Sequence, residues 1–184
     1  PSPLFTWTWK RKLFPVCCED KNLNVAMNPG NFYTMITNIQ KLRDANPALA
    51  EQLRQYVFPI VGCCQTVHQD MGPYLNEYMY QEALSICFEE AGFIGKNCIK
   101  EYYFTTHFHN RRISHPHKVD FLINEKVLIE CKAIGHLGSE QRQQPWNYMR
   151  LSGIRVGILY NFAPIKDECE KYYYDPEQQA IFMF

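Results

Sequence analysis

Two carboxylates and a lysine stand where apolar residues belong. Residues 117–132 read His-Lys-Val-Asp-Phe-Leu-Ile-Asn-Glu-Lys-Val-Leu-Ile-Glu-Cys-Lys. Two apolar runs around a short polar turn predict a β-hairpin. Asp120, Glu130 and Lys132 interrupt those runs where a buried strand carries Val or Ile. A buried carboxylate is costly unless a partner or a metal ion compensates it. Two acids beside an ammonium group suggest a divalent-metal site able to activate water against a phosphodiester.

Turn length decides whether these groups meet, because side chains alternate between the faces of a strand. A two-residue turn at Asn124-Glu125 sets Asp120 against Ile129 and sends Glu130 to the other face. A three-residue turn, Asn124-Glu125-Lys126, pairs Phe121 with Ile129 and brings Asp120 opposite Glu130, with Lys132 on the same face. Opposed Cβ atoms lie about 4.5–5.5 Å apart, so both carboxylates reach one ion. Mg²⁺ takes one or two carboxylates plus waters, and the Cys131 carbonyl between the two side chains offers a further oxygen. The plainer alternative is a structural ion pair in which Lys132 neutralises Glu130.

The flanking segments predict the elements that position the hairpin. Asn31, Phe32, Met35, Ile36, Ile39 and Leu42 recur at helical spacing. Asn46-Pro47 caps a second helix expected to run to about Tyr56. Pro59 is expected to start or kink a third helix, with Ile60, Val61, Cys64, Val67 and Met71 on one face, broken at Gly72-Pro73. In the next helix Glu77 and Tyr80 share a face, while Leu75, Met79, Ala83, Ile86 and Cys87 form the expected core stripe. A strand is expected over 98–108, then the hairpin. A helix follows with Gln144 and Tyr148 on one face and Pro145 in its first turn. A strand at 154–160 and an edge strand at 180–184 complete an α-β-β-β-α-β order after the N-terminal helices.

These segments resemble the PD-(D/E)XK nuclease superfamily, specifically its GxxExxY branch. Tyr74-Leu75-Asn76-Glu77-Tyr78-Met79-Tyr80 is similar to the opening string, with Tyr74 in place of its glycine. Val119 stands in place of the proline before Asp120. Gln144-Pro145-Trp146-Asn147-Tyr148 is similar to the Q-x-x-x-Y helix, and the likeness covers roughly residues 60–164. It implies an α/β restriction-endonuclease-like core, a mixed sheet flanked by helices, with a helical N-terminal extension. The expected division is an arm and extension over 1–58 and a nuclease-like domain over 59–184.

The activity implied is Mg²⁺- or Mn²⁺-dependent hydrolysis of DNA, with RNA left open. Asp120 and Glu130 hold the ion with the Cys131 carbonyl, and Glu77 adds a ligand directly or through water. Lys132 orients or deprotonates the attacking water, and Gln144 and Tyr148 position water or phosphates. Arg111, Arg112, Lys118 and Tyr80 are the expected nucleic-acid contacts. His107, His109, His115 and His117 crowd the same link as the two arginines and admit a zinc reading, a cationic lip or a solvated loop. His68 is expected to make a structural hydrogen bond. The alternative function is an inactive nuclease-fold module that binds nucleic acid or protein; a third reading is a nuclease subunit of a larger defence or repair assembly, and a homo-oligomer is a further expected association.

Composition bounds these readings. The 184 residues suffice for one sizeable core, and no apolar run is long enough for a membrane span. Formal net charge is zero, 19 basic against 19 acidic, which argues against an architectural DNA binder and leaves room for a local basic patch. The eight cysteines form no C-x-x-C, so a reduced, cytoplasmic protein without an iron–sulfur cluster is expected. Trp7, Trp9 and Lys10-Arg11-Lys12 suggest an extended arm over residues 1–30.

Overall fold

Residues 39–184 are described by the computed structural model. The expected arm, and Asn31, Phe32, Met35 and Ile36, lie outside them. Gln40–Lys41 form a two-residue strand, β1, and Leu42–Ala45 a single helical turn, α1, so the helical spacing does not carry through Ile39 to Leu42.

Asn46 then caps α2, Pro47–Met71, its side chain accepting from the Leu49 N–H at 3.0 Å. This helix corrects the expected break at Pro59, and the boundary after residue 58 falls inside it. Ala50, Leu53, Val57, Ile60, Cys64 and Val67 are all buried, an unbroken three-and-four spacing that anchors both sides of the proline. Pro59 itself faces solvent, where its ring and the hydrogen bond it forgoes are tolerated by a helix already fixed by packing. Helix α3, Glu77–Glu90, follows a short turn and is capped by Asn76, which accepts from the Met79 N–H at 3.0 Å. Its core stripe is Tyr80, Leu84 and Phe88 rather than the one expected. Met79 and Ile86 are exposed, while Leu75, Ala83 and Cys87 pack at the margin.

The remaining elements are β2 (Cys98–Phe104), the small hairpin β3–β4 (His107–Phe108 and Arg111–Arg112), β5 (His117–Ile123), β6 (Val127–Lys132), α4 (Ser139–Ser152), β7 (Val156–Asn161), β8 (Glu168–Asp175) and β9 (Ala180–Met183). Seven strands form one mixed sheet in the order β1-β9-β8-β7-β6-β5-β2. β6 and β7 run parallel, joined by α4, and β1 runs parallel to β9. The strand over 180–183 is therefore flanked on both sides rather than at the edge. Strand β8 has no counterpart among the expected elements: its charged residues hide an alternation in which Tyr172 and Tyr174 are buried. Helix α4 begins six residues before Pro145, which lies inside it, and ends at Gly153 in the left-handed region (φ 75°).

Two cores sandwich the sheet. Helices α2 and α3 cover Phe121, Ile123, Ile129, Ile158 and Tyr160. Helix α4 lays Trp146 and Met149 on the opposite face against Leu122, Leu128, Leu159 and Tyr172. An Arg142–Glu170 pair, with Nη2–Oε1 at 2.7 Å, ties α4 to β8. Among the described residues no helix is long and apolar enough to cross a membrane.

Helix α4 approaches β7 closely enough that a Cβ on Gly157 would lie 2.5 Å from Met149 Sδ. Met149 is fully buried, so Gly157→Ala should lower unfolding free energy by about 1–3 kcal/mol. Denaturant titration checks this, and adding Met149→Ala should recover part of the loss.

Candidate active site

The three-residue turn forms, with Lys126 N–H donating to the Ile123 carbonyl at 3.0 Å and positive φ at Asn124 and Glu125. It sets the register Phe121↔Ile129, Leu122↔Leu128 and Ile123↔Val127. Backbone pairing of β5 with β6 stops there. At the next level Asp120 turns its carboxylate into the gap and accepts the Cys131 N–H at 2.7 Å. On the other side, β2 and β5 pair at Lys100↔Phe121 and Tyr102↔Val119 but skip Glu101 and Asp120. Glu101 has φ 52°, and Val119 packs in the same core as Leu122, which simple alternation forbids. Asp120 thus sits where β5 switches faces, a bulge-like irregularity of the kind that re-aims a side chain.

Lys132 Nζ donates to Glu130 Oε1 at 2.7 Å. The other oxygen of Glu130, Oε2, is buried without a hydrogen-bond partner among the described residues, and the residue is only 3% exposed. Burial pushes Glu130 up to about 8, the nearby Asp120 adds to the rise, and Lys132 opposes it. Asp120 is raised too, mainly by burial, with the Cys131 N–H and Lys132 pulling the other way. Lys132 loses hydration, which alone would lower its pKa. Attraction to Glu130, and then to Glu77 and Asp120, outweighs that and raises it. Lys132 therefore keeps its proton at neutral pH, which suits orienting water and offsetting charge rather than removing a proton.

Glu77 is half-buried at the start of α3. Burial raises its pKa, Lys132 and the Ala133 N–H lower it, and Asp120 raises it. It shares the electrostatics of the hairpin residues. Among the described residues, however, no three His, Cys, Asp or Glu side chains converge as a metal-holding group. The site therefore offers Asp120 and Glu130 as neighbouring carboxylates, with Glu77 coupled to both electrostatically. The same observation removes support for zinc in the histidine loop. Cys131 adds backbone oxygen: the Lys132 carbonyl takes the Phe162 N–H on the β7 side, so Cys131, one residue back, directs its N–H and C=O toward Asp120. An all-oxygen set with one orphaned buried oxygen fits a hard divalent cation.

A network that the sequence reading missed fixes the loop after Lys132. Buried Asn161, level with Lys132 on β7, binds Ile134 through both N–H and C=O, and Glu168 accepts from Asn161 and from the Leu137 N–H. The only sequence signal is a polar residue inside the apolar run of β7. His68 donates to the Pro164 carbonyl at 2.8 Å, as expected.

The other expected residues divide. Gln144 Nε2 donates to the Tyr148 hydroxyl at 3.0 Å, and Tyr148 packs edge-on to His117 and Phe104. This places the pair over the start of β5, three residues before Asp120. Arg111 and Arg112 are exposed on β4, opposite Phe108 and His107. Lys118 is engaged by Glu101 at 2.9 Å, a surface pair that adds little stability. Tyr80 is a correction. It is fully buried, stacks on Phe162, donates to the Gly72 carbonyl at 2.7 Å and accepts the Leu75 N–H. It fastens the turn before Glu77 and presents nothing to a nucleic acid.

A family model, the PD-(D/E)XK nuclease superfamily, matches residues 54–172, a span that includes Glu77, Asp120, Glu130, Lys132, Gln144 and Tyr148. The central mixed sheet between helices is that of such a nuclease-like fold. Among solved structures the chain is similar to one titled "Crystal structure of SSO0001", at 15% identity and a TM-score of 0.36, over 64% of this chain and 80% of that one. A likeness so distant bears on neither mechanism nor substrate. No curated protein matches the chain.

The raised pKa of Glu130 has a definite sign for stability. A folded value of about 8 against an ordinary 4.5 means its contribution is full below pH 4.5 and is lost as pH rises through 8. Glu130→Gln, isosteric with the protonated acid, should match wild type near pH 4 in metal-free buffer. It should exceed wild type increasingly up to about pH 8, by on the order of a few kcal/mol. Denaturant titrations across that range check it; parallel pH profiles refute it.

Proposed function

Because the chain belongs to the PD-(D/E)XK nuclease superfamily, we propose that it is a divalent-metal-dependent deoxyribonuclease of the GxxExxY kind, using Mg²⁺ or Mn²⁺. The observation that carries this reading is the orphaned Glu130 oxygen, buried beside Asp120 at the point where two strands separate. An inactive module gives that arrangement no role. An acid kept from water, half-neutralised by one lysine, costs stability without return unless something else engages it.

Asp120, Glu130 and the Cys131 carbonyl would hold the ion, with Glu77 an additional ligand directly or through water. The ion would supply Lewis-acid polarisation of the phosphate and activation of water at neutral pH. Lys132, held charged by Glu130, donates to the attacking water or to a non-bridging phosphate oxygen and offsets the charge that develops there. Tyr148, oriented by Gln144 and by packing on His117 and Phe104, positions the strand. Arg111 and Arg112 contact phosphates, so affinity comes from a local lip on a chain with no net charge. The six described cysteines are free thiols, in keeping with a cytoplasmic setting.

Incubation with linear and circular DNA, each with Mg²⁺, Mn²⁺ or chelator, tests the activity. Asp120→Ala should slow cleavage at least about a hundredfold with the fold retained. Asp120→Asn, which preserves an acceptor for the Cys131 N–H, should be as inactive. Mg²⁺ or Mn²⁺ should raise the melting temperature of wild type at pH 8 and leave that of Glu130→Gln unchanged. Full metal-dependent cleavage by Asp120→Ala refutes the assignment.

A further inference from the structure

We propose that the cleft beside the candidate active site receives an unpaired nucleobase stacked on Tyr74, so that the substrate is a single strand or a splayed end. The inference rests on the nuclease reading and narrows its substrate.

The cleft has a volume of about 520 Å³ and is walled by three chain segments: Tyr74 and Leu75, Ala133 to Gly135, and Ala163 to Ile165. Each leaves or enters an element that carries the site. Leu75 precedes Glu77 by two residues, Ala133 follows Lys132, and Ala163 follows the end of β7. The carboxyl ends of adjacent parallel strands, here β6 and β7, are where open α/β sheets place ligands. The walls are fixed to one another: Tyr74 N–H donates to the Ala163 carbonyl at 3.3 Å, Asn161 binds Ile134, and His68 binds Pro164.

The lining is apolar and matches a base better than a phosphate. Tyr74 is 74% exposed and Ile165 77%, so a large aromatic face and an aliphatic side chain stand open at the rim. Tyr74 also has φ 66°, a left-handed conformation that side chains adopt at a cost and that glycine adopts freely. The chain thus holds a strained tyrosine where none is needed for the turn, its ring free of any stacking partner among the described residues. Strain kept at such a place marks a function for the side chain. A base stacked on an aromatic ring gains affinity without sequence preference, and the exposed Lys166 next to Ile165 lies near enough in sequence to meet its phosphate. A base stacks on a ring with its face uncovered, which a base inside a duplex does not offer, hence the preference for unpaired substrate.

The test uses the full chain and a single-stranded DNA 12-mer carrying 2-aminopurine, compared with a blunt duplex of the same sequence. Binding and fluorescence are read in chelator, and cleavage in Mn²⁺. Tyr74→Gly is the key variant because it relieves the backbone and cannot fail by misfolding at that residue. Single-strand affinity should fall about tenfold in Tyr74→Gly and Tyr74→Ala and be retained in Tyr74→Trp. Duplex affinity should stay constant, and stacking should quench 2-aminopurine only where an aromatic ring is present. Equal single-strand affinity in Tyr74→Gly and wild type, or equal weakening on duplex, overturns the proposal and leaves the cleft to an apolar protein segment. If the protein stacks the base yet cleaves nothing with any metal, the nuclease reading fails and the base site stands.

Discussion

The Asp120 carboxylate takes the Cys131 amide across 2.7 Å where a backbone carbonyl would otherwise receive it. That one bond lets β5 and β6 part without orphaning a buried N–H, which would cost about as much as a lost hydrogen bond. The parting opens the end of the sheet at the level of Glu130 and Lys132. Were the ladder to continue, the acids would be sealed in strand pairing. Were it to end without the carboxylate, the Cys131 N–H would be left buried and unmet. The rest of the site follows from this substitution of a side chain for a backbone partner.

Electrostatics then divides the labour. Glu130 is more buried than Lys132, with side chains 4% and 15% exposed, so the acid suffers more from lost hydration than the ammonium does. One lysine cannot fully restore to the acid what water gave, and Asp120 makes matters worse for Glu130. The cluster is short of positive charge. This shortage, rather than the count of acids, is what makes the proposed cation a physical fit for the cluster.

Legibility in the sequence follows periodicity. The hairpin register comes through because a three-residue turn is the one that brings Asp120 level with Glu130; burial alone does not choose it, since Leu122 and Leu128 are buried as fully as Phe121 and Ile129. The break expected at Pro59 fails because it weighs proline alone. The buried series Leu53, Val57, Ile60, Cys64 passes straight through it, and tertiary packing overrides local propensity. Strand β8 is hidden because Glu168, Glu170 and Lys171 mask its tyrosines. Two of these charged residues, Glu168 and Glu170, answer to Asn161 and Arg142, and Arg142 lies far away in sequence. Tyr80 matches a motif letter, yet its position three residues after Glu77 also lies on the stripe with Leu84 and Phe88, and burial decides its role. The face switch at Asp120 has no periodic signature, and it coincides with Glu101, unpaired in the ladder across the sheet.

Positive φ at residues other than glycine concentrates in two kinds of place. Asn124, Glu125, His109, Asn110 and Gln179 sit in hairpin turns, where such angles match strand twist. Tyr74 and Glu101 do not. The first stands two residues before the helix cap Asn76, and the second lies across from Asp120, so both border the acidic cluster. Each is held by a contact from another segment, Tyr74 by Ala163 and Glu101 by Lys118. A strained residue of this kind costs about 1–3 kcal/mol and persists only where its surroundings over-determine it. The surroundings here are the ends of β7 and β5, elements already fixed by the cores on either face of the sheet. The stability of the sandwich is what permits an irregular, under-neutralised rim to exist at its edge.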